Sequence, residues 1–325
     1  MRQESTNALI SSKPAALAAA AGLDEIKAFV DSCLTQAYLI AGRLHEAIDA
    51  GERALASFEA RGDLWWAVRT ISHLGPAAKD LGEWDRSVNY CRRAVDHGIT
   101  FNDSRPKVIG LWRMGATYIH QGDLERGEQC CNAALELQPS PYDFIMAKAA
   151  RGYGRIKADG IDCGIADLRE AVAWFEKSQL GYTLQRFRLW LAEGYLRLGD
   201  RAAACSLIES ALATSRAMGY RHLEALACWL MGESLAIEDA AGAERHVATA
   251  IEILERIGAR NDLARAMVTR AALHQASGNI SAAGQLLDRA QAIFDEIGTI
   301  DEPSHVAAAR DALVRGEPIN LLAPH

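Results

Sequence analysis

Apolar residues recur every three to four positions along most of the chain, with charged and polar residues between them. The segments LDEIKAFVDSCLTQAYLIAG and LHEAIDAGERALASFEARG carry this spacing. It places the apolar side chains on one face of an α-helix. No long run alternates Val, Ile, Thr and aromatic residues as a half-buried strand would. Short polar turns separate the helical stretches, and the turns resemble one another: AGRLHEA at 41–47, LGEWDRS at 81–87, QGDLERG at 121–127, LGDRAAA at 198–204 and SGNISAA at 277–283.

The turn glycines are Gly42, Gly82, Gly122, Gly199 and Gly278, spaced 40, 40, 77 and 79 residues apart. Each long step hides one divergent turn, around Gly160 and Asp239. Twelve residues after each turn glycine stands an alanine: Ala54, Ala94, Ala134, Ala211 and Ala290, with Ala171 and Ala250 in the divergent units. Gly62, Gly98, Gly181, Gly219, Gly258 and Gly298 are predicted as helix stops, because glycine adopts the left-handed conformation cheaply. Asp63, Ser104 and Asp262 are predicted as N-caps. Each unit therefore reads as helix, turn, helix, stop. Seven units follow, at 24–62, 63–103, 104–140, 141–181, 182–219, 220–260 and 261–300. A capping helix is expected within 301–316, a linker or remnant capping helix at 1–23, and a loose tail at 317–325. Pro76 falls inside a predicted helix and should kink it.

Within each unit the residue types repeat as well. In the third, Met114-Gly115, Tyr118, Gly127, Cys131, Ala134 and Pro139 follow one another; the first offers Leu34, Tyr38, Ala47 and Ala54, the fifth Leu191, Ala192, Tyr195, Ala204, Ile208 and Ala211. This order resembles the tetratricopeptide repeat family, in which Leu-Gly, Tyr, Ala, a large apolar residue, Ala and Pro mark a helix pair. The family's tryptophan slot is not tryptophan in any unit, and the period is about 39–40 residues rather than 34. The longer form is similar to the helical-repeat sensor region of large bacterial signalling proteins, where an ATPase module and a cyclase or DNA-binding output domain accompany the array. The resemblance implies an all-α, right-handed α-solenoid, with the first helix of each pair lining a concave groove.

Net charge is −7 and the isoelectric point about 5.8, which disfavours nucleic acid as a partner. No uncharged apolar run reaches the ~18 residues of a membrane helix, and the first residues make a poor signal peptide because Lys13 and Pro14 interrupt the apolar part. Seven cysteines without CxxC spacing point to a reducing, cytoplasmic setting. Cys91 and Cys131 are 40 residues apart in the same apolar slot and are read as core thiols; Cys130 is left as the more exposed of the adjacent pair. No phosphate loop, HExxH or GxSxG occurs, so neither enzyme, cofactor nor metal site is expected.

The functional candidate is the groove that the resemblance implies. Its lining, projected opposite the Leu-Gly-Tyr face, comprises Arg69, His73 and Lys79; Trp112, Arg113 and His120; Arg151 and Lys157; Arg186, Trp190, Glu193 and Arg197; Trp229 and Glu233; and Arg265 and Gln275. Basic residues outnumber acidic ones there, which points to a carboxylate-bearing partner, since arginine forks match carboxylates. Two readings stand: a non-catalytic scaffold or regulatory module holding a protein or peptide, acidic in character, with an ATPase or output domain elsewhere in its pathway or parent chain; or a sensor for a small anionic or sugar-like molecule.

Overall fold

The computed structural model describes residues 23–178 and 181–320. Residues 1–22, assigned above to a linker or remnant helix, and the tail beyond 320 lie outside it. The described residues form fifteen helices and no strand. They are α1 (Asp24–Ile40), α2 (Leu44–Ala60), α3 (Leu64–Leu81), α4 (Trp84–Thr100), α5 (Ser104–Gln121), α6 (Leu124–Glu136), α7 (Pro141–Lys157) and α8 (Ile161–Ser178). After them come α9 (Gly181–Leu198), α10 (Arg201–Met218), α11 (Arg221–Leu235), α12 (Ala240–Ile257), α13 (Arg260–Ala276), α14 (Ile280–Ile297) and α15 (Glu302–Arg315). Each helix packs against its sequence neighbours, and each odd helix also packs against the next odd one. The odd helices thus make a continuous inner layer and the even helices an outer one.

Local chemistry sets the boundaries. Gly82 and Gly122, at φ +82° and +95°, end α3 and α5 in the left-handed conformation that costs glycine little. Asp123, Asp200, Asp239 and Asn279 then cap the following even helices by accepting a backbone N–H. Four assignments differ from expectation. Gly98 lies inside α4, where a Cβ would come within 2.7 Å of the Asp103 carbonyl, and Asn102 at φ +51° makes the stop instead. Gly181 opens α9 rather than ending a helix. Asp103, not Ser104, caps α5, and Asp262 sits inside α13 with its carboxylate turned to another helix. α3 runs through Pro76 without interruption.

Small residues face large ones where paired helices cross. A Cβ on Gly75 would stand 2.9 Å from Cys91 Sγ, and one on Gly115 2.5 Å from Cys131 Sγ. Both thiols are fully buried and unpaired. Burial pushes Cys91 up to about 12 and Cys131 upward too, so neither is a reactive thiolate. Cys130 is half-buried, and burial raises its pKa as well.

An α-solenoid usually touches only its immediate neighbours. This one coils back on itself. The α1–α2 turn at Gly42 meets Arg221 of α11, the end of α3 meets the α12–α13 turn at Gly258, and α3 contacts α13. The Ile300 N–H donates to the Gln121 carbonyl at 2.7 Å, and the Gln121 amide donates to the Gly298 carbonyl at 3.3 Å. Lys157 Nζ lies 2.6 Å from Asp301. The inner layer consequently encloses an interior.

Candidate ligand-binding interior

The centre of the interior is filled by the protein's own charges. Asp80 on α3 is buried and receives Arg186 Nη2 at 3.1 Å from α9, His222 Nδ1 at 3.0 Å from α11, and its neighbour Lys79. The other nitrogen of His222 reaches Asp262 on α13 at 2.7 Å. Arg265, one turn further along α13, holds Glu193 at 2.5 Å and Glu302 of α15 at 3.0 Å, and stands over Trp229. Beside these charges the Tyr153 and Trp190 rings stack with centroids 4.7 Å apart, and His120 packs against both.

Burial would by itself raise the Asp80 and Asp262 carboxyls. The cations around them outweigh it, holding Asp80 well below the usual carboxylate range and Asp262 at about 2. Burial would likewise lower His222, but the Asp80 charge and the hydrogen bonds to Asp262 and Asp80 raise it above its ordinary value. Both imidazole nitrogens therefore act as donors. At His120 burial, with the Lys79 charge, outweighs the Asp262 charge and the hydrogen bond to the Ala116 carbonyl and pushes the imidazole well down.

On either side of this plug the interior opens. Toward the N-terminal repeats lies an inner chamber of about 330 Å³, walled by α3, α5, α7 and α9 with an edge of α1. It continues into an outer basin of about 360 Å³ between α3 and α5; Ser72, His73, Trp112, Arg113 and Tyr142 belong to both. The basin is rimmed by Trp65, 58% exposed, by Phe101, 59% exposed, and by Arg69 and Arg105. Arg69 lies over the Trp65 and Trp66 rings. Its two carboxylates are engaged: Asp103 caps α5, and Asp143 accepts from Ser140. Toward the C-terminal end a third space of about 310 Å³ lies between α13, α15 and residues 317–320.

The residues projected from the sequence divide among these places. His73, Trp112 and Arg113 line the chamber and basin, and Arg69 the basin alone. Lys79, His120, Arg186, Trp190, Glu193 and Arg265 belong to the plug or its walls. Arg197, bonded to the Ile156 carbonyl at 3.0 Å, lines the C-terminal space with Trp229 and Glu233. Trp229 donates to Thr269, and Thr269 to Glu233, each at 2.8 Å. Burial brings Glu233 up to about 7, against the lowering effect of Thr269. Gln275 takes up the chain's own tail, accepting from the Ile319 N–H at 2.8 Å and donating to the Glu317 carbonyl at 2.7 Å. Arg151 is not in the interior: it reaches Asp167 on α8 and Asn132 on α6, both at 3.1 Å, along the seam between the layers. Lys157 is buried against Asp301. The partners Asp80, His222, Asp262 and Glu302, and the chamber walls Tyr142, Tyr182 and Phe187, were not projected; Tyr142, Tyr182, His222, Asp262 and Glu302 recur 40 residues apart at helix starts, and Asp80 stands at the end of α3, outside the phase of the projection.

Among the described residues no helix is long and apolar enough to cross a membrane. The tetratricopeptide repeat profile matches residues 110–141. No curated protein is significantly similar to the chain. Among solved structures, the Rap conjugation gene regulator of plasmid pLS20 in complex with the Phr* peptide is similar, with a TM-score of 0.63 at 16% identity over 84% of this chain and 77% of that one. A Rap protein complexed with competence and sporulation factor gives a TM-score of 0.63 at 14% identity, over 86% of this chain and 79% of that one. Taken with the helix pairs and their slots, these likenesses make the chain an all-α helical-repeat array of the tetratricopeptide type.

Proposed function

We propose that this protein is a non-catalytic regulatory scaffold that holds a peptide or an extended protein segment in the outer basin. The observation that carries the reading is the basin's rim. Two large aromatic side chains, Trp65 and Phe101, stand more than half exposed beside arginines, around a cavity that continues inward. Exposed aromatics next to a concavity mark recognition surfaces. Arg69 and Arg105 give the rim a positive face while the nearby carboxylates are engaged in capping, so the partner segment is acidic or carboxylate-bearing. The similar Rap structures, solved with a peptide and with a sporulation factor, support a peptide as the class of partner. At the other end of the interior, Gln275 already grips extended backbone with both ends of its amide. The output of such a module is supplied by a partner, such as an ATPase or output domain.

The test is selection of a displayed random-peptide library on the full chain. Enriched peptides should be rich in Asp and Glu, and should lose at least tenfold in affinity on Trp65→Ala or Arg69→Ala. Peptides whose binding ignores both substitutions would refute the basin as the site.

A further inference from the structure

The wall of the inner chamber contains a cation that forms no ion pair among the described residues. Arg113 projects from α5 into the wall common to chamber and basin. Its guanidinium lies over the Trp112 ring, 4.3 Å from the centroid. Its Nε is buried without a hydrogen-bond partner, and no described carboxylate forms an ion pair with it. Arg113 is half-buried as a whole; because buried polar groups are ordinarily bonded, its Nε is left for a ligand to satisfy. The other cations of the chamber have their anion: Lys79 and Arg186 both meet Asp80.

Among the described residues the chamber's lining contains no Asp or Glu. His73 stands beside Arg113 in it; burial, with the Arg113 and Arg69 charges, pushes its imidazole down to about 3. It is therefore neutral at physiological pH and offers one donor and one acceptor. The rest of the wall is largely apolar and aromatic, from Leu39, Met146, Phe187 and Trp190. A volume of about 330 Å³ falls at the small end of ligand pockets.

We propose that the inner chamber binds a compact monocarboxylate with an aromatic or branched apolar body, its carboxylate on Arg113 and its body against Trp112, Phe187 and Trp190. The planar guanidinium presents two parallel N–H groups to such a carboxylate. His73 and Ser72 lie where they can take a second polar group of the ligand. This site adjoins the proposed peptide basin and shares Ser72, His73, Trp112 and Arg113 with it. Trp65 and Arg69, which test that reading, do not line the chamber, so either proposal can fail alone.

The experiment is isothermal titration calorimetry on the full chain with 4-phenylbutyrate and with its uncharged amide. The acid should bind at least tenfold more tightly than the amide, and Arg113→Met should remove that preference. Arg113→Lys keeps the charge and loses the fork, and should weaken the acid severalfold; it serves if Arg113→Met does not fold. Absence of acid binding, equal binding of acid and amide, or a preference that survives in Arg113→Met or is undiminished in Arg113→Lys would overturn the proposal.

Discussion

His222 on α11 lies 3.0 Å from Asp80 on α3, although 142 residues separate them. The same imidazole reaches Asp262, 40 residues onward and in the equivalent slot of the next unit. One side chain therefore joins successive repeats and also the second unit to the sixth. Breaking a buried pair by removing one partner costs about 3–5 kcal/mol, because the remaining charge is stranded. His222→Ala should accordingly lower stability by an amount of that order in urea titration, well beyond the fraction of a kcal/mol expected at an exposed ion pair such as Arg256–Glu252.

The same cluster sets a pH dependence. The His222 pKa is raised on folding, so its contribution is fully present below its unfolded value near 6.5 and is lost as pH climbs through the raised folded value. Asp80 and Asp262 are lowered, so theirs is present above the unfolded value near 3.9 and is lost as pH falls toward 2. Thermal denaturation across pH should show stability falling on both flanks, and His222→Gln should flatten the alkaline one. An alkaline flank identical in the variant would remove His222 as its cause.

Glu233 works in the opposite sense to Asp80 and Asp262. Its carboxyl is raised to about 7, so the folded protein holds a proton that the unfolded chain releases from about pH 4.5 upward. Stability should decline between those values on account of this residue. Glu233→Gln keeps an acceptor for Thr269 and should make the profile shallower there, as read by melting temperature in matched buffers.

The crossing of α3 and α4 offers a packing test. Gly75→Ala sets a methyl 2.9 Å from Cys91 Sγ, and the only other close atoms are at 4.0 Å. Overpacking of this kind costs about 1–3 kcal/mol. Removing the sulfur should relieve it, so Gly75→Ala with Cys91→Ala should be less destabilised than the sum of the two single changes. Simple additivity in denaturant titrations would show that Cys91 does not confine Gly75.

Gln275 holds residues 317–320 by two backbone hydrogen bonds, and Ile319 is buried beside it. In Gln275→Ala the Ile319 amide should exchange with deuterium faster, approaching the rate of a fraying terminus. Unchanged protection would mean that the tail is held by apolar contact alone.

Much of this architecture could be read from the sequence, for a physical reason. A helix pair that must pack on its neighbours needs small residues at Gly75 and Gly115 and large ones at Cys91 and Cys131, and that demand repeats every 40 residues. The inward direction of Trp112, Arg113, Trp190 and Arg265 follows from the same phase. Arg151 escaped it because Asp167 and Asn132 draw its guanidinium to the seam between layers. What the period cannot encode is contact between coils. Arg186 and Arg265 looked like ligand-facing cations until Asp80, Glu193 and Glu302 proved to neutralise them across as many as 106 residues. Arg113 has the same residue type and the same phase, and it differs only in lacking such a partner.

Closure of the coil on itself is the central claim, since it creates both the plug and the chamber. A double-mutant cycle with Asp80→Asn and His222→Gln, followed by urea denaturation, measures it most directly. Residues in contact couple by about 0.5–3 kcal/mol, whereas independent sites add within about 0.5 kcal/mol. The structure predicts coupling above about 1 kcal/mol between these two positions; additive effects would mean that α3 and α11 do not meet in solution and that the array is open.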